Sequence, residues 1–524
     1  MMELSTLILI ALAACVCLYY FMLSKLSHFK RQKVPYVQPI PLLGNMAPFI
    51  FRRMSLVDMI QKVYNLFPDA KYCGFYDFVT PVYVIRDPDL ITTITIRNFD
   101  NFCDHRNFVN ENEPLINRNL FGLRGNVWRE MRKLLSPSFT SSKMKMMYGL
   151  VCECADNFSN TMATKSKKIG KTYDMKKILC RYATDVVASC AFGISVDSFG
   201  YPNNEFYVTG RKTFKFDGIQ SFMFFLNRNF PLLTKLLKLK MFSPKVVKFF
   251  KNIISDTVKV RNEQGIRRPD MIQLMMEIKN KDHESALDID EMTAQAFVFF
   301  FGGFDSVSTT MCFLTYEIAV NPDIQDRLRA EIDDVLKKTN GKLTYEVIND
   351  MKYLNAVVNE TLRCYPLVAF LDRICVKEFV LPPAIPNGKP ITVKPGTPIW
   401  IPSHALHRDS KYYPQPDKFD PDRFLNDDVN SSVYMPFGLG PRICIANRFA
   451  LMEMKVMLFH LLWRCDLEPD AKTKIPMVFS KKSFFMMAEG GFWLKVRARK
   501  STAPVVHECL SNEQKVENGD KLYA

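Results

Sequence analysis

Between Phe437 and Ala450 the chain reads Phe-Gly-Leu-Gly-Pro-Arg-Ile-Cys-Ile-Ala-Asn-Arg-Phe-Ala, and no other segment narrows the possible folds as much. Gly438, Gly440 and Pro441 mark a tight turn. Beyond Cys444, the residues Leu451, Met454, Leu458 and Leu461 recur at helical spacing, which predicts a helix with one apolar face. A cysteine just ahead of a helix start meets outward-pointing backbone N–H groups and the positive end of the helix dipole. That setting stabilises a thiolate, the form of cysteine that binds metal. A lone cysteine is more commonly a buried structural thiol. A cysteine at the end of a Phe-x-x-Gly-x-Arg-x-Cys turn, followed by a helix, is a much more specific pattern.

The other cysteines carry no such pattern. The chain has 14, with no CxxC pair, and the close pairs Cys15/Cys17 and Cys152/Cys154 lack partners at zinc-site spacing. Nothing resembles a disulfide framework, so a reducing compartment is expected. The net charge of +16 suits nucleic acid, an anionic membrane or an acidic protein partner. Without zinc-finger or RNA-binding aromatic signatures, no nucleic acid is expected, and membrane and acidic partner remain. The 42 Phe and 27 Met suit a large apolar interior.

Leu4 to Leu23 is apolar apart from Ser5 and Thr6. As a helix its 20 residues would span roughly 30 Å, the thickness of a bilayer core. A cleaved secretory signal fits less well, because Glu3 precedes the run and the run is long for a signal core. Lys25, Lys30, Arg31 and Lys33 follow it and would stay cytosolic. Pro35, Pro39 and Pro41 then make a stiff link. The expected organisation is a membrane anchor and basic stop over 1–33, a catalytic domain over 34–500 and a polar tail over 501–524.

Strands are predicted around Val82–Ile85, between Val376 and Trp400, and between Lys481 and Arg497. Residues 103–127 look like a long loop, and helical patterns dominate from Val127 to about Cys375. The fold class is therefore mainly α with small β-sheets. The segment from Ile219 to Ile254 combines Phe222, Phe224, Phe225, Phe230 and Leu232 with six lysines. A second contact with the bilayer surface and an ordinary amphipathic helix pair both suit it. Within Phe299–Ser306, Asp305 is the only charged residue between Glu291 and Glu317. Gly302, Gly303 and Asp305 interrupt the apolar run, which argues against a membrane span. A lone acid there needs a partner or a job. Trp128 and Arg132 share a helix face, Glu360 and Arg363 are spaced to pair, and His404 and His407 lack a nearby third metal ligand.

The cysteine segment resembles the haem-binding signature of the cytochrome P-450 family. Trp128-x-x-x-Arg132, Gly302-Gly303-Phe304-Asp305-Ser306, Glu360-x-x-Arg363 and Phe419–Phe424 follow in the family's order over most of the chain. The resemblance implies a cytochrome P-450 fold preceded by a single N-terminal transmembrane helix. It implies haem b, an iron protoporphyrin IX, with Cys444 as axial ligand. Thiolate ligation favours O–O cleavage. Arg442, Trp128 and Arg132 would approach the propionates, Phe437 would shield the sulfur, and Gly440 and Ala446 would pass close to the macrocycle. Gly302 and Gly303 would make room for oxygen, while Asp305 and Ser306 would manage protons. Glu360, Arg363 and Arg423 would form a structural network holding the cysteine loop.

Two positions depart from the family pattern. Ala446 stands where Gly is usual, and the added methyl should be tolerated. Ser306 stands where Thr is usual, so proton delivery should be looser and more reduced oxygen lost as peroxide. By resemblance, electrons come from NADPH through NADPH–cytochrome P-450 reductase, with cytochrome b5 as a second donor. Arg124, Arg129, Arg132 and Lys133 would form the docking face. A lipophilic small molecule would meet residues 103–125, 219–230, Phe301–Phe304, the stretch after Pro366 and the turn at Phe484–Met487. The expected location is the endoplasmic reticulum membrane, single-pass, with the catalytic domain facing the cytosol. The distal helix and Cys444–Lys455 are most similar to microsomal insect members that detoxify plant compounds and insecticides. The rival readings are a haem-thiolate isomerase or dehydratase acting on peroxides, a haem-binding protein without turnover, and a non-haem membrane protein.

Overall fold

The computed structural model describes residues 24–106, 113–167, 170–213, 219–281, 287–426 and 432–499, besides residues 6, 12, 13, 20, 508 and 509. The expected anchor Leu4–Leu23 and the polar tail lie largely outside the described residues. The helices that frame the site are α1 (Gly125–Leu135), α2 (Ser141–Lys165), α3 (Met175–Val187), α4 (Ile289–Phe301), α5 (Ser308–Val320), α6 (Lys352–Cys364) and α7 (Asn447–Arg464).

Helix α4 starts at a capping box. The Glu291 N–H donates to Asp288 Oδ1 at 2.6 Å, and the Asp288 N–H donates to Glu291 Oε2 at 3.0 Å. Each side chain satisfies a donor that helix geometry leaves free. Between α4 and α5 the chain winds more widely, as a π-helical stretch over Gly302–Val307. Such stretches are rare and concentrate at functional sites. Ile289–Val320 is long and apolar enough to cross a membrane, but 61% of its most apolar window is buried inside the protein. It is the central core helix, as the interrupting Gly and Asp residues predict.

The helix after Cys444 departs from expectation in one respect. Met452 to Trp463 are all buried, so α7 is enclosed on every side instead of along one apolar face. It packs against α2 and is surrounded by the largest hydrophobic cluster. A fully enclosed helix must carry its polar residues inside, and Glu453, Lys455 and His460 are indeed buried.

The two larger of the four small sheets among the described residues flank the helices. Strands β1 (Tyr72–Asp77), β2 (Thr80–Ile85), β4 (Leu371–Ile374) and β5 (Pro398–Ile401) form the first, in the order β1-β2-β5-β4. The β2–β5 pair is parallel, with Tyr83 opposite Ile399, and the others are antiparallel. Strands β3 (Lys171–Asp174), β6 (Cys465–Pro469) and β7 (Trp493–Ala498) form the second, in the order β3-β7-β6. The basic segment before Val34 docks on the first sheet through Phe29, whose ring meets Tyr76 and Tyr83 edge-on at 5.1 Å each. A Cβ at Gly74 would lie 2.4 Å from that ring, so only glycine leaves room for it.

Candidate functional site

The turn before Cys444 is closed by the Ile443 N–H donating to the Gly440 carbonyl at 2.9 Å. The Cys444 N–H then donates to the Phe437 carbonyl at 2.9 Å. Gly440 has φ +73°, and a Cβ there would stand 2.0 Å from the Thr95 carbonyl oxygen. Glycine is thus required both for conformation and for the close approach of the loop to residues 93–97. From α1, Arg132 donates to the Ile443 carbonyl at 2.9 Å, which fixes the residue before the cysteine.

Cys444 is exposed on one side. There it lines a cleft of about 180 Å³ with Arg132, Phe139, Ile445 and Asn447. Burial pushes its thiol up, while a hydrogen bond from the Ala446 backbone and the Arg132 charge pull it down. Ala446 occupies the N-cap of α7 with φ −95°, an ordinary backbone region that needs no glycine. Phe437 packs on the main core.

Trp128 and Arg442 come together, with the guanidinium 3.9 Å above the indole ring. Arg442 also donates to the Cys103 carbonyl at 2.7 Å, the Leu123 carbonyl at 3.0 Å and Asp104 Oδ1 at 3.2 Å. Burial pulls its pKa down to about 10, opposed by Asp104.

Sequence reasoning missed Arg373, on β4. It is buried, donates to the Leu439 carbonyl at 3.2 Å, and has no partner for its Nε among the described residues. Arg-Ile in a strand gives no local signal of function. The neighbouring Asp372 is held by the His105 ring at 3.0 Å and the Arg106 N–H at 2.8 Å. Burial alone would raise its pKa, but the His105 interaction holds it below the usual carboxylate range. Arg106 and Arg228 both bond Asp77 Oδ2, at 2.8 Å and 2.7 Å.

An iron porphyrin with two carboxylate arms can be tested against these residues. Cys444 is a soft donor, open on one side, beside a cation and a backbone N–H. Along the adjoining edge, the guanidinium groups of Arg106, Arg124, Arg228, Arg373 and Arg442 face the carboxylates of Asp77, Asp104 and Asp372. The buried Arg373 Nε has no partner among the described residues, and a propionate oxygen would satisfy it. The residues fit the group.

On the other side, a Cβ at Gly302 would meet nothing within 4 Å, so open space lies over that residue. Gly303 serves a different purpose from the one expected. A Cβ there would come within 2.4 Å of Val187, so this glycine lets α3 approach. Asp305 has a partner that the sequence did not reveal. Lys176 on α3 donates to Asp305 Oδ1 at 2.8 Å, to the Asp305 carbonyl at 3.1 Å, and to Ser308 and Thr309 hydroxyls at 2.9 and 2.6 Å. Burial would depress the Lys176 ammonium, but the Asp305 carboxylate outweighs it and holds the pKa above the ordinary value. Ser306 donates back to the Gly302 carbonyl within the helix. Asp305 and Ser306 are thus neighbours with separate hydrogen-bond partners.

Behind the cysteine loop, Arg363 grips Glu360 through two bonds at 2.7 and 2.8 Å, and Glu360 also accepts the Asp420 N–H at 2.8 Å. Arg423 adds an ion-pair contact at 3.5 Å without hydrogen-bond geometry. His407 accepts the Met435 N–H at 3.0 Å, and its carbonyl accepts from Arg363 at 2.7 Å. The network therefore reaches the residues leading into the loop. Among the described residues, the two ring nitrogens of the buried His404 have no hydrogen-bond partner, and no cluster of three metal-type ligands occurs.

Comparison with known families matches residues 34–496 to the family described as Cytochrome P450. Among curated proteins, the chain is similar to Cytochrome P450 9e2 of Blattella germanica, at 44% identity over 90% of this chain and 94% of that protein. It is 37% identical to Cytochrome P450 9b2 of Drosophila melanogaster, over 92% and 97% of the two chains. It is 35% identical to Cytochrome P450 6k1 of Blattella germanica, over 95% and 97%.

Proposed function

The chain belongs to the cytochrome P450 family of haem monooxygenases, and from that premise we propose that it oxidises small lipophilic molecules at a haem held by Cys444. The observation that carries this reading is the Cys444 thiol, open to a cleft on one side and set between a backbone N–H and Arg132.

When bound, the haem supplies the oxygen-activating chemistry. The protein's share is to bind, orient and manage protons. Cys444 would hold the iron through its sulfur, with the Arg132 charge and the Ala446 backbone N–H beside it. Arg442, Arg373 and Trp128 would hold the propionates, and Gly302 leaves open space beside the helix. Lys176 anchors Asp305 at a place that keeps some exposure to solvent. Asp305 is the proposed proton source on that side, and Ser306, whose hydroxyl donates to the Gly302 carbonyl, is the proposed donor beside Gly302.

The proposed electron source is NADPH through its flavoprotein reductase, with cytochrome b5 as a second donor. Of the expected docking residues, Arg124 and Arg132 are half-buried and bonded to backbone carbonyls, and Arg129 pairs with Asp100 at 2.7 Å. Exposed Lys133 and Arg448, the latter at the rim of the Cys444 cleft, are the free docking charges. Residues 1–33 are the proposed anchor in the endoplasmic reticulum membrane, with residues 34–500 as the catalytic domain on its cytosolic side and 501–524 as a tail. Clearance of foreign lipophiles, as in detoxification, is the proposed use.

The test is the absorption spectrum of the reduced, carbon monoxide-bound protein. The native chain should give the thiolate-type band, and Cys444→Ala should abolish it. A band that survives the substitution, or purified protein without haem colour, rejects this reading.

A further inference from the structure

Two groups of phenylalanine rings meet α4, one through Phe300 and the other through Phe301, and they differ in kind. Phe192, Phe206, Phe250, Phe300 and Phe304 are all buried, with Phe300 and Phe304 stacked at 5.3 Å. This group is ordinary core, and it removes Phe304 from the expected substrate contacts. The second group is drawn from the helix Ile219–Asn229, α4, the stretch after Pro366 and the turn near residues 483–487. Phe484 is its hub. It meets Phe224 at 4.9 Å, Phe485 at 5.6 Å, Phe225 at 6.2 Å and Phe370 at 6.3 Å, with ring planes crossing at 57–87°. Phe485 continues the chain of rings to Phe301 at 6.3 Å. Phe301 immediately precedes Gly302, over which space is open.

Phe225, Phe301, Phe484 and Phe485 are only partly buried, unlike the first group. The wall is also fixed in place. Phe370 stacks flat on the buried Trp400 at 3.9 Å, and the Met486 N–H donates to the Leu367 carbonyl at 3.1 Å. Steeply crossed rings present positive edges to negative faces. A guest with a flat aryl group can enter such an array and both give and receive these contacts. A saturated ring of equal size has neither a π-face nor a polarised edge.

We propose that this ring wall selects substrates bearing an unhindered aryl group, held among Phe224, Phe484 and Phe485 with its attached chain directed toward Gly302. The proposal rests on the haem monooxygenase reading and specifies its substrate class.

Butylbenzene and butylcyclohexane separate this proposal from plain hydrophobicity. The saturated compound is the more poorly hydrated, so an indifferent apolar wall would bind it more tightly. Titration of the full-length holoprotein, followed by the spin-state shift of its absorption spectrum, should instead show butylbenzene binding about three- to tenfold more tightly. Phe484→Leu should remove the preference while keeping the carbon monoxide band, and Phe485→Leu provides the same test if that variant does not fold. Equal or reversed affinities, no binding of either compound, or a preference untouched by both substitutions would overturn the proposal. If any of these occurs with the thiolate-type band intact, only the aryl selectivity fails. If the band is absent, the monooxygenase reading fails with it.

Discussion

Two single-residue departures from the family pattern have opposite consequences. Ala446 caps α7 in a backbone region open to any residue and packs against the core, so its methyl costs nothing visible. Ser306 matters more, because its hydroxyl donates to Gly302 in the preceding turn and, among the described residues, is tied to no side chain. Serine rotates among three wells about its Cα–Cβ bond, whereas the second branch of threonine restricts that choice. The hydroxyl in Ser306→Thr would spend more of its time in one orientation. That variant should release less hydrogen peroxide per NADPH oxidised, by about twofold or more, with the carbon monoxide band unchanged. An unaltered peroxide fraction would show that Ser306 does not limit proton delivery. At this scale the sequence was partly legible. The isolation of Asp305 in an apolar helix demanded a partner, but Lys176 lies 129 positions earlier and no spacing rule connects them.

At the scale of elements, local patterns identified what local physics determines. The turn at Gly440, the helix after Cys444, the strand at Val82–Ile85 and the Glu360–Arg363 pair are all where their residues predict. What escaped was decided by packing between distant segments: the complete burial of α7, the widened Gly302–Val307 stretch, and the place of Arg373 at the carboxylate edge. Helix α3 illustrates the same limit. Its Asp185, beside the helix end, accepts the Ser198 N–H with both oxygens, at 3.1 and 3.2 Å, and so pins the turn that follows. Burial pushes this carboxyl up to about 7, and the Ser198 bonds only partly offset it. A carboxyl whose folded pKa exceeds its unfolded value stabilises the fold below the ordinary carboxylate range. That contribution is lost as pH rises toward 7, by linkage at most about 4 kcal/mol. Asp185→Asn keeps an acceptor for Ser198 without the titration. It should melt close to the native chain at pH 4 and above it at pH 8. Parallel melting curves across that range would show that Asp185 is not held protonated.

For the whole molecule, the question is how a chain with a surplus of 16 positive charges meets a membrane. The anchor is not the only candidate contact. In the short helix Pro231–Leu236, Leu232 is 83% exposed and Leu236 78% exposed, with Leu237 and Phe230 beside them. Exposed leucines grouped this way are uncommon on a surface that faces only water. Lys235, Lys238 and Lys240 border them, which favours an anionic bilayer, since basic residues near such a surface add about 1 kcal/mol each. Of the two readings open for this segment, the exposure pattern favours the bilayer contact. Insertion would bring the helix Ile219–Asn229, and with it the ring wall at Phe224, close to dissolved lipophiles. A chain beginning at Val34 should therefore still co-sediment with vesicles containing phosphatidylserine, more weakly in high salt and with neutral lipid. Leu232→Asp combined with Leu236→Asp should release it into the supernatant while leaving the carbon monoxide band in place. Undiminished vesicle binding by that double variant would assign membrane contact to another face.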